Sequence, residues 1–248
     1  MGRSRPILGI LGGLGPAATV DFYAKLVAAT PALTDQDHLH VIIDADPGVP
    51  NRNEAVAGTG PSPAPQLAAM AVRLEAAGAE ALFMVCNAAH AFSDAITSAV
   101  SVPLVSIVGE TVDATLAAAP GARRVGVLAA AGAQDARLYA TAFEARGVGV
   151  LEPVGERRNR FMSLLYRVKA GETGAGVREG MLALARELTD AGAEAIVAGC
   201  TEVPLVFNAD DLSAAGLNVP LVSSTDALVA AAVAIGTGVR PLPLRAPR

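Results

Sequence analysis

Tryptophan is absent from this 248-residue chain, and aromatic residues make up only 4% of it. It therefore has little material for a base-stacking platform or an aromatic-lined groove. Basic side chains are outnumbered, 19 to 24, and the net charge of −5 argues against nucleic acid or an anionic membrane surface as a partner. No apolar run reaches the roughly 18–20 residues of a membrane span. The stretch 95–109 is uncharged but shorter, and Pro103 interrupts it. Arg3 and Arg5 ahead of an apolar run imitate a signal peptide, yet Gly9, Gly12, Gly13, Gly15 and Pro16 make a poor signal helix. A cytoplasmic location is the expectation. Two cysteines cannot build a disulfide framework, there is no Cys-x-x-Cys, and His38, His40 and His90 lack a zinc-ligand spacing. No metal site is expected.

What the chain does contain is written twice. The segment 75–86, Glu-Ala-Ala-Gly-Ala-Glu-Ala-Leu-Phe-Met-Val-Cys, is echoed by 189–200, Thr-Asp-Ala-Gly-Ala-Glu-Ala-Ile-Val-Ala-Gly-Cys. Each copy ends in one of the two cysteines, 114 positions apart (86 to 200). The glycine-rich opening 7–15 aligns with 124–132, and Val-Pro-Leu-Val-Ser at 102–106 recurs at 219–223, both 117 positions on (102 to 219). Three landmarks in the same order at near-constant spacing imply two copies of one unit, about 7–115 and 124–232.

Within each copy, short runs rich in Val, Ile and Leu alternate with longer amphipathic ones. Strands are expected over 6–11, 39–44, 81–86 and 103–106, then 124–129, 148–151, 194–199 and 220–222. Continuous apolar strands of this kind are covered on both faces. Helices are expected over 16–29, 64–77, 90–99 and 107–118, then 133–146, 157–170, 175–191 and 224–235. The fold class is α/β, with two pseudo-symmetric parallel-sheet domains and a cleft between them. Residues 1–115 with 223–240 form the first domain, 116–222 the second, and 241–248 a C-terminal tail, the last helix crossing back onto the first half.

Ligands of parallel α/β sheets bind beyond the carboxyl ends of the strands. Cys86 and Cys200 stand at that edge, as do the loops 12–15 and 129–132. Two thiols at equivalent strand ends can face one ligand from opposite sides, which suits moving a proton from one face of a carbon to the other. A helix start beside each would favour a thiolate. His90 and Glu202 are near enough in sequence to tune the thiols. A structural reading stays open, because small buried cysteines are common. The loop containing Gly13 meets a dinucleotide pattern loosely, but Pro16 removes one N–H, and backbone donors cupping a small anion are the better use. Arg52, after the second strand, can grip a carboxylate in a fork or lie in solvent. Lys169 can cap its own helix, and Arg157, Arg158 and Arg160 read as an exposed face.

These residues together resemble the aspartate/glutamate racemase family, aspartate branch. The motifs are Gly9–Pro16, Asp35–His38, Pro50–Arg52, Cys86–His90 and Gly199–Glu202, and the similarity runs over nearly the whole chain. The resemblance implies a racemase that needs no cofactor, pyridoxal phosphate included, working as a homodimer on a small amino acid, most simply aspartate or glutamate. Cys86 and Cys200 would be the acid/base pair. Asn87 and Thr201 would hold the amino-acid head group and Arg52 the side-chain carboxylate, with Lys169 and the Gly13 loop also binding and His90 and Glu202 supporting. Ala88, Ala130 and Ala133 replace hydroxyl residues usual in the family, and each lost bond to a charged group weakens binding by about 1.5–3 kcal/mol. A two-cysteine isomerase or decarboxylase of another small acid, similar to maleate isomerases and hydantoin racemases, is one alternative. An amino-acid-binding homologue with little turnover is another.

Overall fold

Leu8–Gly12 carries no charge and all five residues are buried, as a strand covered on both faces must be. A computed structural model describes residues 5–243, so Arg3 and positions 244–248 of the expected tail lie outside the described residues. This strand, β1, pairs in parallel with β2 (Val41–Ala45) and β3 (Ala81–Met84), and β4 (Leu104–Val105) completes the order β2-β1-β3-β4. The second copy builds β5 (Arg124–Val127), β6 (Gly149–Leu151), β7 (Ile196–Ala198) and β8 (Leu221–Ser223), again all parallel, in the order β6-β5-β7-β8. The duplicated α/β architecture expected from the repeat is present strand for strand.

Repeated residues have repeated duties. Glu80 accepts the backbone N–H of Ile7 at 2.9 Å, and Glu194 accepts those of Arg123 and Arg124 at 2.6 and 3.0 Å, so one carboxylate anchors the start of the first strand in each half. The serine of each Val-Pro-Leu-Val-Ser motif is a helix N-cap: Ser106 accepts from Gly109 N, and Ser223 from Asp226 N. Gly9 and Gly126 occupy equivalent places where a helix end crosses the sheet. A methyl group on either would stand 2.7 Å from Ala79 Cβ or 2.8 Å from Ile196 Cδ1, closer than packed carbons tolerate.

Helices cover both faces of both sheets. They are α1 (Pro16–Ala29), α2 (Arg52–Val56), α3 (Ala64–Ala76), α4 (Ser93–Ala99), α5 (Ile107–Ala118), α6 (Ala131–Asp135), α7 (Leu138–Glu144), α8 (Glu156–Lys169), α9 (Ala175–Asp190), α10 (Ala209–Ala214) and α11 (Ser224–Gly236). Alternate strand residues point to different layers. Leu8, Ile10 and Phe83 meet Val125, Val127 and Val197 in one central core with Phe22, Phe143 and Leu228. Leu11, Leu82 and Met84 face α3 instead, while Leu128 and Ile196 face α8 and α9. In the central layer α1 lies against α11, α11 against α5, and α5 against α7 and β8. Each fully buried Leu, Phe or Val there contributes about 1.5–3 kcal/mol, so the two halves are joined by a shared core. Among the described residues, no helix is long and apolar enough to cross a membrane.

The local differences from expectation fall near the strand ends. The helix expected over 133–146 is two helices, because Arg137 adopts a left-handed conformation (φ 52°, ψ 29°) between α6 and α7. It is the one non-glycine residue with positive φ among those described, and its guanidinium donates to both carboxylate oxygens of Glu144 at 2.8 and 2.9 Å. The α-helix starts expected at the thiols are short 3₁₀ segments, Ala88–Phe92, which runs on into α4, and Val203–Leu205. A segment this short carries little macrodipole of its own, and beside Cys200 the neighbouring charge comes from a side chain, Glu202.

Candidate active site

Strands β3 and β7 each end two residues before their cysteine, Cys86 and Cys200, and both cysteines line one small inner chamber of about 30 Å³. Arg52, Asn87, Thr201, Lys169 and Glu202 line the same chamber, with Ala88, Ala130, Met162, Leu165 and Tyr166 as its largely apolar wall. An outer chamber of about 280 Å³ adjoins it, sharing Arg52, Asn53, Tyr166, Lys169 and Glu202. Gly13 lines the outer chamber rather than the inner one, and its N–H donates to Thr19 Oγ1 at 2.9 Å.

On the Cys200 side a carboxylate organises the polar groups. Cys200 Sγ donates to Glu202 Oε2 at 3.0 Å, and Thr201 Oγ1 donates to the same oxygen at 3.4 Å. The other carboxylate oxygen pairs with Lys169 Nζ, which arrives from the last residue of α8. Glu202 is 4% exposed. Burial first, and then the Glu202 charge, push the Cys200 thiol well above its ordinary pKa, against a smaller opposing pull from Lys169. Burial opposes the Lys169 charge, yet Glu202 and the two sulfur groups raise its pKa. At neutral pH this side of the chamber holds a protonated thiol beside an ion pair.

The Cys86 side is built from neutral hydrogen bonds. Asn87, 2% exposed, donates from Nδ2 to Ser224 Oγ at 3.0 Å and accepts at Oδ1 from Tyr139 OH at 2.5 Å. His90 does not face the thiol. Its Nε2 accepts from Ile107 N at 3.2 Å, which leaves the proton on Nδ1 to donate to Cys86 O at 2.8 Å. Burial lowers its pKa from 6.5 to about 4. Between those values the unfolded chain binds a proton that the native protein does not, so stability rises with pH across that window and is lost as pH falls through it. The expected cost between pH 6.5 and 4 is about 3 kcal/mol from this residue. Urea unfolding across that range checks it: His90→Gln should have a flatter pH dependence than the parent, and identical slopes would show that His90 is not the titrating group.

Arg52 reaches the chamber with its guanidinium already engaged. Nη1 donates to Val49 O and Pro50 O, each at 2.9 Å, and Nη2 to Leu14 O at 2.5 Å. It thereby pins the glycine loop to the segment after β2. Asn53 and Met162 escaped notice in the sequence. Asn53 Oδ1 accepts the N–H of Gly132 at 2.8 Å, and the Met162 thioether takes that of Ala131 at 3.2 Å. They occupy backbone donors close to Ala130 and Ala133. Only the position next to Arg52 hinted at Asn53, and nothing marked Met162.

The fold and the family are those of racemases, which are isomerases by reaction class. Residues 11–232 match the Asp/Glu/Hydantoin racemase family, and the chain belongs to that family. The solved aspartate racemase of Picrophilus torridus is 26% identical, superposes with a TM-score of 0.82, and each chain covers 96% of the other. Glutamate racemase isoform RacE1 of Bacillus anthracis, 16% identical over 97% of this chain and 85% of its own, has a TM-score of 0.69 and shares the fold. Among curated proteins, the broad specificity amino-acid racemase RacX of Bacillus subtilis (strain 168) is 31% identical over 110 residues. That match spans 43% of this chain and 48% of RacX, about half of each.

Proposed function

We propose that this chain interconverts the enantiomers of an α-amino acid, aspartate first, without pyridoxal phosphate, using Cys86 and Cys200 as the acid/base pair. The observation that carries the reading is one thiol from each half of the duplication on the wall of a single chamber. The thiol held protonated beside Glu202 starts as proton donor, which leaves Cys86 as acceptor. Cys86 takes the α-proton from one face, electrons from the Cα–H bond pass toward the carboxylate, and the Cys200 proton goes to the opposite face. In the reverse direction the sulfurs exchange roles. Lys169 and Arg52 supply positive charge, and Asn87 and Thr201 sit where the head group would be held. Fixed groups in a water-poor chamber stabilise the developing charge without reorganising.

The inner chamber leaves only about 30 Å³ for the centres of water-sized spheres, room for about two or three waters and narrow for an amino acid. An amino acid therefore enters only when the walls part, and the outer chamber is the approach. Lid and cleft motions of this kind also exclude water once closed. The assignment of 1–115 with 223–240 and 116–222 as the two moving domains belongs to this proposal, as does a cytoplasmic homodimer.

A second reading has its own support. Arg52 spends three donor contacts on backbone carbonyls, and Ala88, Ala130, Met162 and Leu165 offer no charge to a polar side chain. A broader or less acidic substrate range, as the name of RacX describes for that protein, fits those walls. One experiment separates the readings. Purified protein, with its mass taken by light scattering, is incubated in D₂O with each enantiomer of aspartate, glutamate, alanine and leucine. Deuterium at Cα with inversion of aspartate is the expected result. Faster inversion of the apolar pair moves the assignment to the second reading. Calorimetric binding without Cα exchange for any of them removes the racemase proposal.

A further inference from the structure

Tyr139 is fully buried, carries a hydroxyl, and has no part in the chemistry outlined above. It stands in α7, two residues after the left-handed Arg137 that breaks the helix. Its hydroxyl donates to Asn87 Oδ1 at 2.5 Å, with a longer contact to Thr111 Oγ1 at 3.5 Å. Its ring lies directly against Gly199, where an added methyl would come within 2.8 Å of Tyr139 Cε2. Asn87 follows Cys86 and Gly199 precedes Cys200, so one side chain touches the immediate neighbours of both thiols. We infer that Tyr139 is a positioning residue that sets the two thiol-bearing strand ends against each other, its hydroxyl holding the Cys86 end and its ring the Cys200 end.

The repeat separates these two duties. The equivalent position in the first copy, 117 residues earlier (22 to 139), is Phe22, also fully buried. A bare ring therefore satisfies the packing at this place in the fold, and the hydroxyl of the second copy has a different job. That job is legible in the bonds: Tyr139 and Ser224 take the two ends of the Asn87 amide, fixing which end faces the chamber. Without Tyr139 OH, the buried Asn87 Oδ1 has no donor in its present orientation, and a buried acceptor left unpaired drives the side chain to rotate. Without the ring, the backbone before Cys200 loses the surface it rests on.

The inference rests on the two-thiol reading for its catalytic meaning, but its geometry is testable without turnover. Iodoacetamide alkylation is followed at each cysteine by peptide mass spectrometry, for the parent, Tyr139→Phe and Tyr139→Leu, with unfolding in urea measured alongside. Tyr139→Phe should raise the Cys86 rate about threefold or more and leave Cys200 within about twofold, because only the hydroxyl arm is cut. Tyr139→Leu should raise the Cys200 rate by about tenfold as well. On turnover, Tyr139→Phe should lower kcat about tenfold with KM nearly unchanged, and this loss should vanish in an Asn87→Ala background. Equal acceleration of both cysteines by the Phe variant, in step with its loss of stability, would overturn the inference, and so would an unchanged Cys86 rate. If Tyr139→Leu does not fold, the Phe variant still decides. An enzyme inert toward every amino acid defeats the racemase reading, while the alkylation pattern continues to report on Tyr139.

Discussion

Cys86→Ser and Cys200→Ser are each expected to lower racemisation by on the order of 10³-fold, while each keeps proton exchange at Cα for one enantiomer only. The argument is one of faces. A serine hydroxyl can fill the space and hydrogen-bond, but it is far too weak an acid to serve as its own ionised base at neutral pH. Cys200→Ser leaves a sulfur base on the Cys86 side, which can still remove a proton from the enantiomer presenting it there. The proton then returns to the same face, and solvent deuterium enters without inversion. Cys86→Ser must show the opposite choice. Neither change should unfold the protein, because the hydroxyl introduced by Cys200→Ser could donate to Glu202 as the thiol does at 3.0 Å. Loss of the Cα proton signal of L- and D-aspartate in D₂O, with chiral chromatography of the same samples, reads both quantities. Two variants that exchange the same enantiomer, or that racemise at the parental rate, would refute opposed thiols.

Much of this arrangement was open to reading because duplication makes spacing visible. The cysteines, the paired glycines at 9 and 126, and the serines at 106 and 223 recur at fixed offsets, and each pair occupies the same structural place. Buried parallel strands also announce themselves, since both faces must be apolar. What escaped reading depends on contacts between segments far apart in the chain. Arg137 interrupts a helix with no proline or glycine to mark the break. Asn53 reaches Gly132, and Tyr139 reaches Asn87, from one half of the chain to the other. Arg52 looked free to grip a ligand, and only the folded loops show three carbonyls converging on it. His90 was close to Cys86 in sequence, yet a 3₁₀ turn directs its ring onto backbone groups. Periodicity reports which face is buried; it carries no information on where a polar side chain finds its partner.

The Lys169–Glu202 pair should give the second large effect: both changes cost stability, and they move the Cys200 proton in opposite directions. Lys169→Met leaves a carboxylate that is 4% exposed without its cation. Stripping one partner from a buried pair costs about 3–5 kcal/mol, and the partial exposure of Lys169 places this case at the low end. Glu202→Gln removes the buried charge itself and should cost less, since Lys169 can turn toward the outer chamber. Combining the two should recover most of the stability lost by Lys169→Met, a coupling that urea titration of all four proteins measures. The same variants move the Cys200 proton in predictable directions. Burial and the Glu202 charge raise its pKa while Lys169 lowers it, so Lys169→Met raises it further and Glu202→Gln lowers it. A thiol whose native pKa exceeds its unfolded value stabilises the protein below the ordinary thiol range, and that contribution is lost as pH rises through the native value. Glu202→Gln should therefore narrow the alkaline span over which stability declines. It should also bring the alkaline limb of kcat/KM to lower pH, as Cys200 gives up its donor proton sooner. An alkaline limb that stays in place in Glu202→Gln would show that Cys200 is not the group that must carry the proton.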